Sequence, residues 1–172
     1  MPQESDLKIK GVGFPLLSCR DATQTLTPIR HGEMRRSVNG ELCYVGTNRH
    51  HKYQSRIRCA DQNLPAIQQV WVGAIVEVDC ISPLWESFPL GDEETTQKLS
   101  RPLVEGSLLV KHTDNTPVDF QWEDGILTLP EGEGKTVMVS YRPCLKMRIT
   151  SFDFKEVEWQ EERGWQLGLE EI

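Results

Sequence analysis

Apolar and polar residues alternate with a period of two along much of this chain. In "WVGAIVEVDCI" (71–81), Val76, Val78 and Cys80 fall on one face and Glu77 and Asp79 on the other. "KTVMVSYRP" repeats the pattern with Val137, Val139 and Tyr141 until Pro143 ends it. "GSLLVKH", "DGILTLP" and "KMRITSFDF" read the same way, and Trp165, Leu167 and Leu169 alternate through the last residues. A period of two is the signature of a strand with one buried face. "RRSVNGELCYV" sets Asn39-Gly40 between two short apolar runs, which predicts a hairpin closed by a two-residue type I′ turn. Helical periodicity is scarce, and its best window, "QNLPAIQQVW", is broken by Pro65. The pattern predicts an all-β protein built from small β-barrel or β-sandwich units with little helix.

The polar, acidic stretch "ESFPLGDEETTQKLSRP" (86–102) reads as a linker between an N-terminal β unit (1–85) and a C-terminal one (103–172). Within the second unit, 106–142 reads as an inserted set of strands, with 143–172 returning to pack on the first unit. A strand running to the last residues is a hazard at a sheet edge unless something covers it. That predicts completion of the edge by a neighbouring strand or another subunit.

A length of 172 residues with 38% hydrophobic residues and a mean hydropathy of −0.45 fits a soluble globular protein with a buried core. No apolar run nears the roughly 18 residues of a membrane helix, and "MPQESDLKIK" lacks a signal peptide's apolar stretch. The expectation is synthesis in the cytoplasm without membrane insertion. The net charge of −7 is uneven: residues 1–85 hold ten Lys/Arg against eight Asp/Glu, and 86–172 hold nine against eighteen. An acidic second half repels phosphate backbones, so no nucleic-acid partner is expected. The one basic cluster, Arg30, Arg35 and Arg36 in "RHGEMRRS", suits salt bridges to an acidic neighbouring surface.

Candidate chemistry changes this picture little. "EGEGKT" (131–136) ends like a phosphate-binding loop, but the motif's first Gly would fall on Leu129 and a strand pattern follows. It reads as a turn. His50 and His51 are adjacent, so on a strand they face opposite ways; His31 and His112 are isolated. No nucleophile elbow, zinc-protease helix or catalytic-cysteine signature occurs, and no enzyme activity or cofactor is expected. Cys19, Cys43, Cys59, Cys80 and Cys144 form no CxxC pair. A metal reading would have to assemble Cys43, Cys59, Cys80 and Cys144 from distant strands. Of five tryptophans, Trp71 and Trp165 lie in apolar patterns and are expected in the core. Trp122, in "DFQWEDG", is the candidate sugar-stacking residue of an alternative reading, a carbohydrate-binding β-sandwich module.

Two stretches carry a family resemblance. "TLTPIRHGEMRRSVNGELCYVG" followed by "KYQSRIRCADQNLPAIQQVWVGAIVEVDCI" resembles small tail proteins of long-tailed bacteriophages: a polar "RRSVNG" hairpin, an I-x-C-x-D…PA segment, then W-x-G-x-x-V-x-V-x-C. "YRPCLKMRITSFDF" with "EWQEERGWQLGLEEI" is similar to the ends of phage tail-tip and baseplate components. The resemblance covers roughly 20–82 and 140–172. It implies a β-rich, non-enzymatic virion protein. Such a protein forms a ring at the distal tail that joins the tail tube to the host-recognition components, with itself and other tail proteins as partners. Interface candidates are Arg35, Arg36, Asn39 and Gly40 on the hairpin, and Trp165, Leu167 and Leu169 on the closing strand.

Overall fold

The computed structural model describes residues 5–46, 51–68, 70–132, 134–159 and 163–172. Among them the chain is all-β, with strands and turns and no helix. It divides into two compact units, one formed by Met1–Lys10 and Glu77–Leu145, the other by Gly11–Val76 and Lys146–Ile172. We call them the insert unit and the frame unit, after their order along the chain. Strands β6 (Ile75–Asp79) and β13 (Cys144–Glu156) run from one into the other.

In the frame unit, β2 (Thr23–Pro28), β5 (Tyr53–Asp61), β14 (Arg163–Glu171) and β13 lie in the order β13-β14-β5-β2, every neighbour antiparallel. The register stacks the alternating residues: Leu167 faces Ile57 and Phe152, Leu169 faces Ile149, and Trp165 faces Cys59 and Phe154. Ile57, Cys59, Ile149, Leu167 and Leu169 are buried on one side of this sheet, while Arg56, Arg58 and Thr150 are exposed on the other. A β-bulge interrupts β13, where Ile149 faces Leu169 but Ser151 faces Gly168, leaving Thr150 as the extra residue. Gly168 leaves room for it, since a Cβ there would lie 2.6 Å from Ser151 Oγ and 3.0 Å from Thr150 Oγ1.

The closing strand is not an edge. It pairs with β13 on one side and β5 on the other, and Trp165, Leu167 and Leu169 are only 5%, 1% and 1% exposed. The apolar alternation that suggested a subunit contact is the core of the unit itself, so these three residues are withdrawn as interface candidates. The run ends instead at β2. The loop from Phe14 to Asp21 covers part of the apolar face. Trp165 donates its indole N–H to the Ser18 carbonyl at 2.8 Å, and its ring lies 5.9 Å from that of Phe14. Asp61, buried, accepts from the Arg20 backbone N–H at 2.9 Å and from Arg20 Nη2 at 2.7 Å.

In the insert unit, β7 (Leu84–Pro89), β12 (Thr136–Tyr141) and β9 (Leu109–His112) form one sheet with β12 central. β10 (Gln121–Glu123), β11 (Ile126–Leu129) and β8 (Thr95–Lys98) form another, and the short β1 (Lys8–Ile9) pairs with β6. Leu90, Leu99, Val110, Leu127, Leu129, Val137, Val139 and Tyr141 bury into a single core. The stretch 86–102 is therefore no linker. It carries most of β7 and all of β8, and its Leu90 and Leu99 are buried. Its acids and prolines mask a period of two that a polar composition alone does not reveal. The divisions fall after Lys10, Val76 and Leu145 and not at 85 and 102. Beneath the core edge, Tyr141 Oη donates to Glu86 Oε1 at 2.6 Å, and Ser100 Oγ reaches the same oxygen at 2.5 Å.

Turn chemistry differs from expectation at one place. Between β10 and β11, Asp124 and Gly125 both have positive φ (49° and 81°), the pattern of a two-residue type I′ turn. At Asn39-Gly40 only Gly40 has positive φ (83°). The Gly40 N–H donates to the Ser37 carbonyl at 2.9 Å, so Val38 and Asn39 are the central residues and Gly40 is the left-handed residue after them. That is the wider, bulged hairpin turn. "EGEGKT" lies in the turn entering β12, where the Lys135 N–H donates to the Gly132 carbonyl at 3.0 Å; Glu133 is outside the described residues.

Candidate assembly surface

The frame unit carries a second sheet of two strands, β3 (Gly32–Arg36) and β4 (Leu42–Gly46), which among the described residues pair only with each other. The register places Met34 opposite Tyr44 and Arg36 opposite Leu42 on one face, with Glu33 opposite Val45 and Arg35 opposite Cys43 on the other. At the open end Gly32 faces Gly46, and the Tyr44 ring lies over both. A Cβ on Gly32 would come within 2.7 Å of Tyr44 Cζ, and one on Gly46 within 2.8 Å. Glycine on both strands thus makes room for the ring to lie on the ladder. The turn is pinned by Arg36 Nη1 donating to the Gly40 carbonyl at 2.8 Å, and Arg35 forms an ion pair with Glu33 at 2.8 Å.

This hairpin presents apolar side chains to solvent. Met34 is 61% and Leu42 60% exposed, Val38 at the tip is fully exposed, and Tyr44 and Val45 are also exposed. A lone two-stranded hairpin is marginally stable in water unless its apolar face packs against something. The face that carries Met34, Leu42 and Tyr44 therefore reads as a candidate contact surface, with Val45 exposed on the opposite face.

A second exposed apolar strip lies on β13. Phe152 and Phe154 continue the apolar face past the residues that the Phe14–Asp21 loop covers. Their rings are 5.4 Å apart, and Trp71 meets Phe152 edge-on at 5.4 Å and 84°. Trp71 is 66% exposed, which corrects the expectation of a core residue. The strand begins only at Ile75, and Trp71 sits in the preceding turn, where its carbonyl accepts from the Ala74 N–H at 3.0 Å and Gly73 has φ 93°. Val72 beside Trp71 is also exposed, and Glu156 and Glu158 stand exposed along the same strand and its turn, with Asp153 and Lys155 on the face opposite Phe152 and Phe154.

No protein-family model matches the chain, and comparison with characterised proteins returns no significant match. The remaining sequence candidates fall elsewhere. Trp122 is half-buried against the insert core, opposite Leu127. Cys59 and Cys144 are raised to about 12 and about 11, chiefly by burial, so neither is held as a thiolate. Cys43 is exposed on β4, and no three His, Cys, Asp or Glu side chains converge into a metal set among the described residues. His50 lies outside the described residues, and His51 precedes β5. No helix among the described residues is long and apolar enough to cross a membrane.

A recess of about 390 Å³ opens on the polar face of the frame sheet around Gly168, lined by Thr25, Arg56, Arg58 and Ser151 among others. It is a hydroxyl-rich face of an antiparallel sheet facing water. Of the named interface candidates, Arg35, Arg36, Asn39 and Gly40 come together on the hairpin. The sequence reading missed Met34, Leu42 and Tyr44 beside them, and Trp71, Phe152 and Phe154. Their alternation was visible as strand, but alternation does not say whether a partner strand or solvent lies over the apolar face.

Proposed function

We propose that this chain is a structural assembly protein that works by self-association and by docking other subunits. We place it with the tail proteins of long-tailed bacteriophages, forming a ring at the distal tail that joins the tube to host-recognition components. The observation that carries the reading is the β3–β4 hairpin, whose Met34, Val38, Leu42 and Tyr44 are exposed and whose strands, among the described residues, pair only with each other. The resemblance of 20–82 and 140–172 to tail-tip proteins supports the phage assignment and names the same hairpin as an interface. The reading involves no catalysis and no cofactor. The sugar-binding alternative would use Trp122, which is half-buried against the insert core.

The test is the solution mass of the purified protein by light scattering across concentration, with negative-stain images of any large species. Growth from the 19.7 kDa chain to a closed species of fixed copy number supports the reading. A mass that stays at one chain at every concentration contradicts it.

A further inference from the structure

We infer that the contact between copies is head-to-tail: the apolar face of the β3–β4 hairpin of one copy lies on the Trp71–Phe152–Phe154 strip of the next. This rests on the assembly reading above and gives it a specific pair of surfaces. Three observations carry it. The hairpin needs cover, since two strands alone hold little stability and Met34, Leu42 and Tyr44 face water. The same unit carries a separate aromatic strip that is also uncovered, with Trp71 66% exposed and Phe154 42% exposed.

The charges around the two surfaces are complementary. On the hairpin face that carries Met34, Leu42 and Tyr44 the register places Arg36, while Arg35 and Glu33 pair with each other on the opposite face. On β13, alternation puts Glu156 on the side of Phe152 and Phe154, paired to Arg163 at 3.0 Å, and Asp153 and Lys155 on the other side, with Glu158 exposed in the turn that follows. A donor face bearing Arg36 that meets the Glu156–Glu158 end of the strip favours unlike surfaces over hairpin-on-hairpin contact, which would bring Arg36 against Arg36. A contact between two different patches is heterologous, and it propagates until the rotation per copy closes a ring.

A mixing experiment tests this. One variant loses the donor face (Met34→Glu with Leu42→Glu) and the other loses the acceptor strip (Trp71→Glu with Phe154→Glu). All four side chains are exposed, so unfolding temperatures should match the parent; if either variant misfolds, Leu42→Ser and Phe154→Ser replace them. Each variant alone should stay a single chain, with association weakened by about a hundredfold or more. An equimolar mixture should double in mass and stop there, because the intact hairpin of one variant has only the intact strip of the other to occupy. Two monomeric variants whose mixture also stays monomeric overturn the head-to-tail contact. Assembly lost in the hairpin variant but kept in the strip variant also overturns it, in favour of hairpin-on-hairpin contact or another acceptor, and leaves the assembly reading standing. A parent protein that never associates overturns both.

Discussion

The indole N–H of Trp165 donates to the carbonyl of Ser18 at 2.8 Å, with the ring buried between β13 and β5. That single bond ties the Phe14–Asp21 loop to the strand that closes the frame unit. Trp165→Phe keeps most of the apolar contact and leaves the buried Ser18 carbonyl unpaired, so it should cost about 1 to 3 kcal/mol. Trp165→Ala adds a cavity and should cost about 3 to 5 kcal/mol. Denaturant titration of both variants checks the order; no loss in Trp165→Phe would mean that the hydrogen bond contributes nothing.

In the insert unit, Tyr141 is fully buried and donates to Glu86 at 2.6 Å while the Arg101 backbone N–H donates to its oxygen at 3.2 Å. Tyr141→Phe removes the bonds to Glu86, Ser100 and the Arg101 N–H. The expected loss is about 1 to 2 kcal/mol in the unfolding of this unit, read by chemical denaturation. An unchanged midpoint would show that water replaces the hydroxyl without loss.

Alkaline pH should destabilise both units. Burial, aided by nearby Cys19 and Asp61, raises the Cys59 thiol from 9.0 to about 12, and burial with the Glu86 hydrogen bond raises Tyr141 from 10.0 to about 12. Burial and a hydrogen bond to Asp79 raise Cys144 from 9.0 to about 11. In each case the folded state holds a proton that the unfolded chain releases. Their stabilisation is full below about pH 9 and is lost as pH rises toward 12. Thermal unfolding from pH 8 to 11 should show a falling midpoint, and Cys59→Ala should flatten the slope. A midpoint independent of pH across that range would contradict the assignment.

Gly168 faces the bulge at Thr150 and Ser151. Gly168→Ala would push a Cβ to 2.6 Å from Ser151 Oγ, a contact that a rotating hydroxyl relieves only in part because Thr150 Oγ1 sits at 3.0 Å. The expected cost is roughly 1 kcal/mol, and adding Ser151→Gly should recover most of it. Recovery absent in the double variant would place the strain elsewhere.

How much of this was legible in the chain depends on what each signal reports. Strand existence was readable because the period of two at Val137, Val139 and Tyr141, or at Trp165, Leu167 and Leu169, records one buried face. Which strands flank which was not. The same alternation at the chain's end suited an open edge or a central strand, and long-range pairing with Cys144–Glu156 and Tyr53–Asp61 decided it. The stretch 86–102 misled because Glu86, Asp92, Glu93 and Glu94 dominate its composition, while its two anchoring leucines are a minority. The hairpin was located from Asn39-Gly40. Its turn type escaped, because only the loop length separates a type I′ turn from the bulged form. The proposed contact surface was half legible: Arg35 and Arg36 stood out by charge, whereas Met34, Leu42 and Tyr44 looked like any strand's inward face, and only the structure shows them exposed.

The most direct test of the central claim compares the parent protein with Met34→Glu, Leu42→Glu by light scattering over the same concentration series. Both positions are exposed, so the variant should keep the parent's fold, read by its circular dichroism spectrum. The account predicts that the parent grows to a closed multi-chain species while the variant remains a single chain of 19.7 kDa. A variant that assembles as the parent does would show that the hairpin is not the assembly surface and would contradict the account.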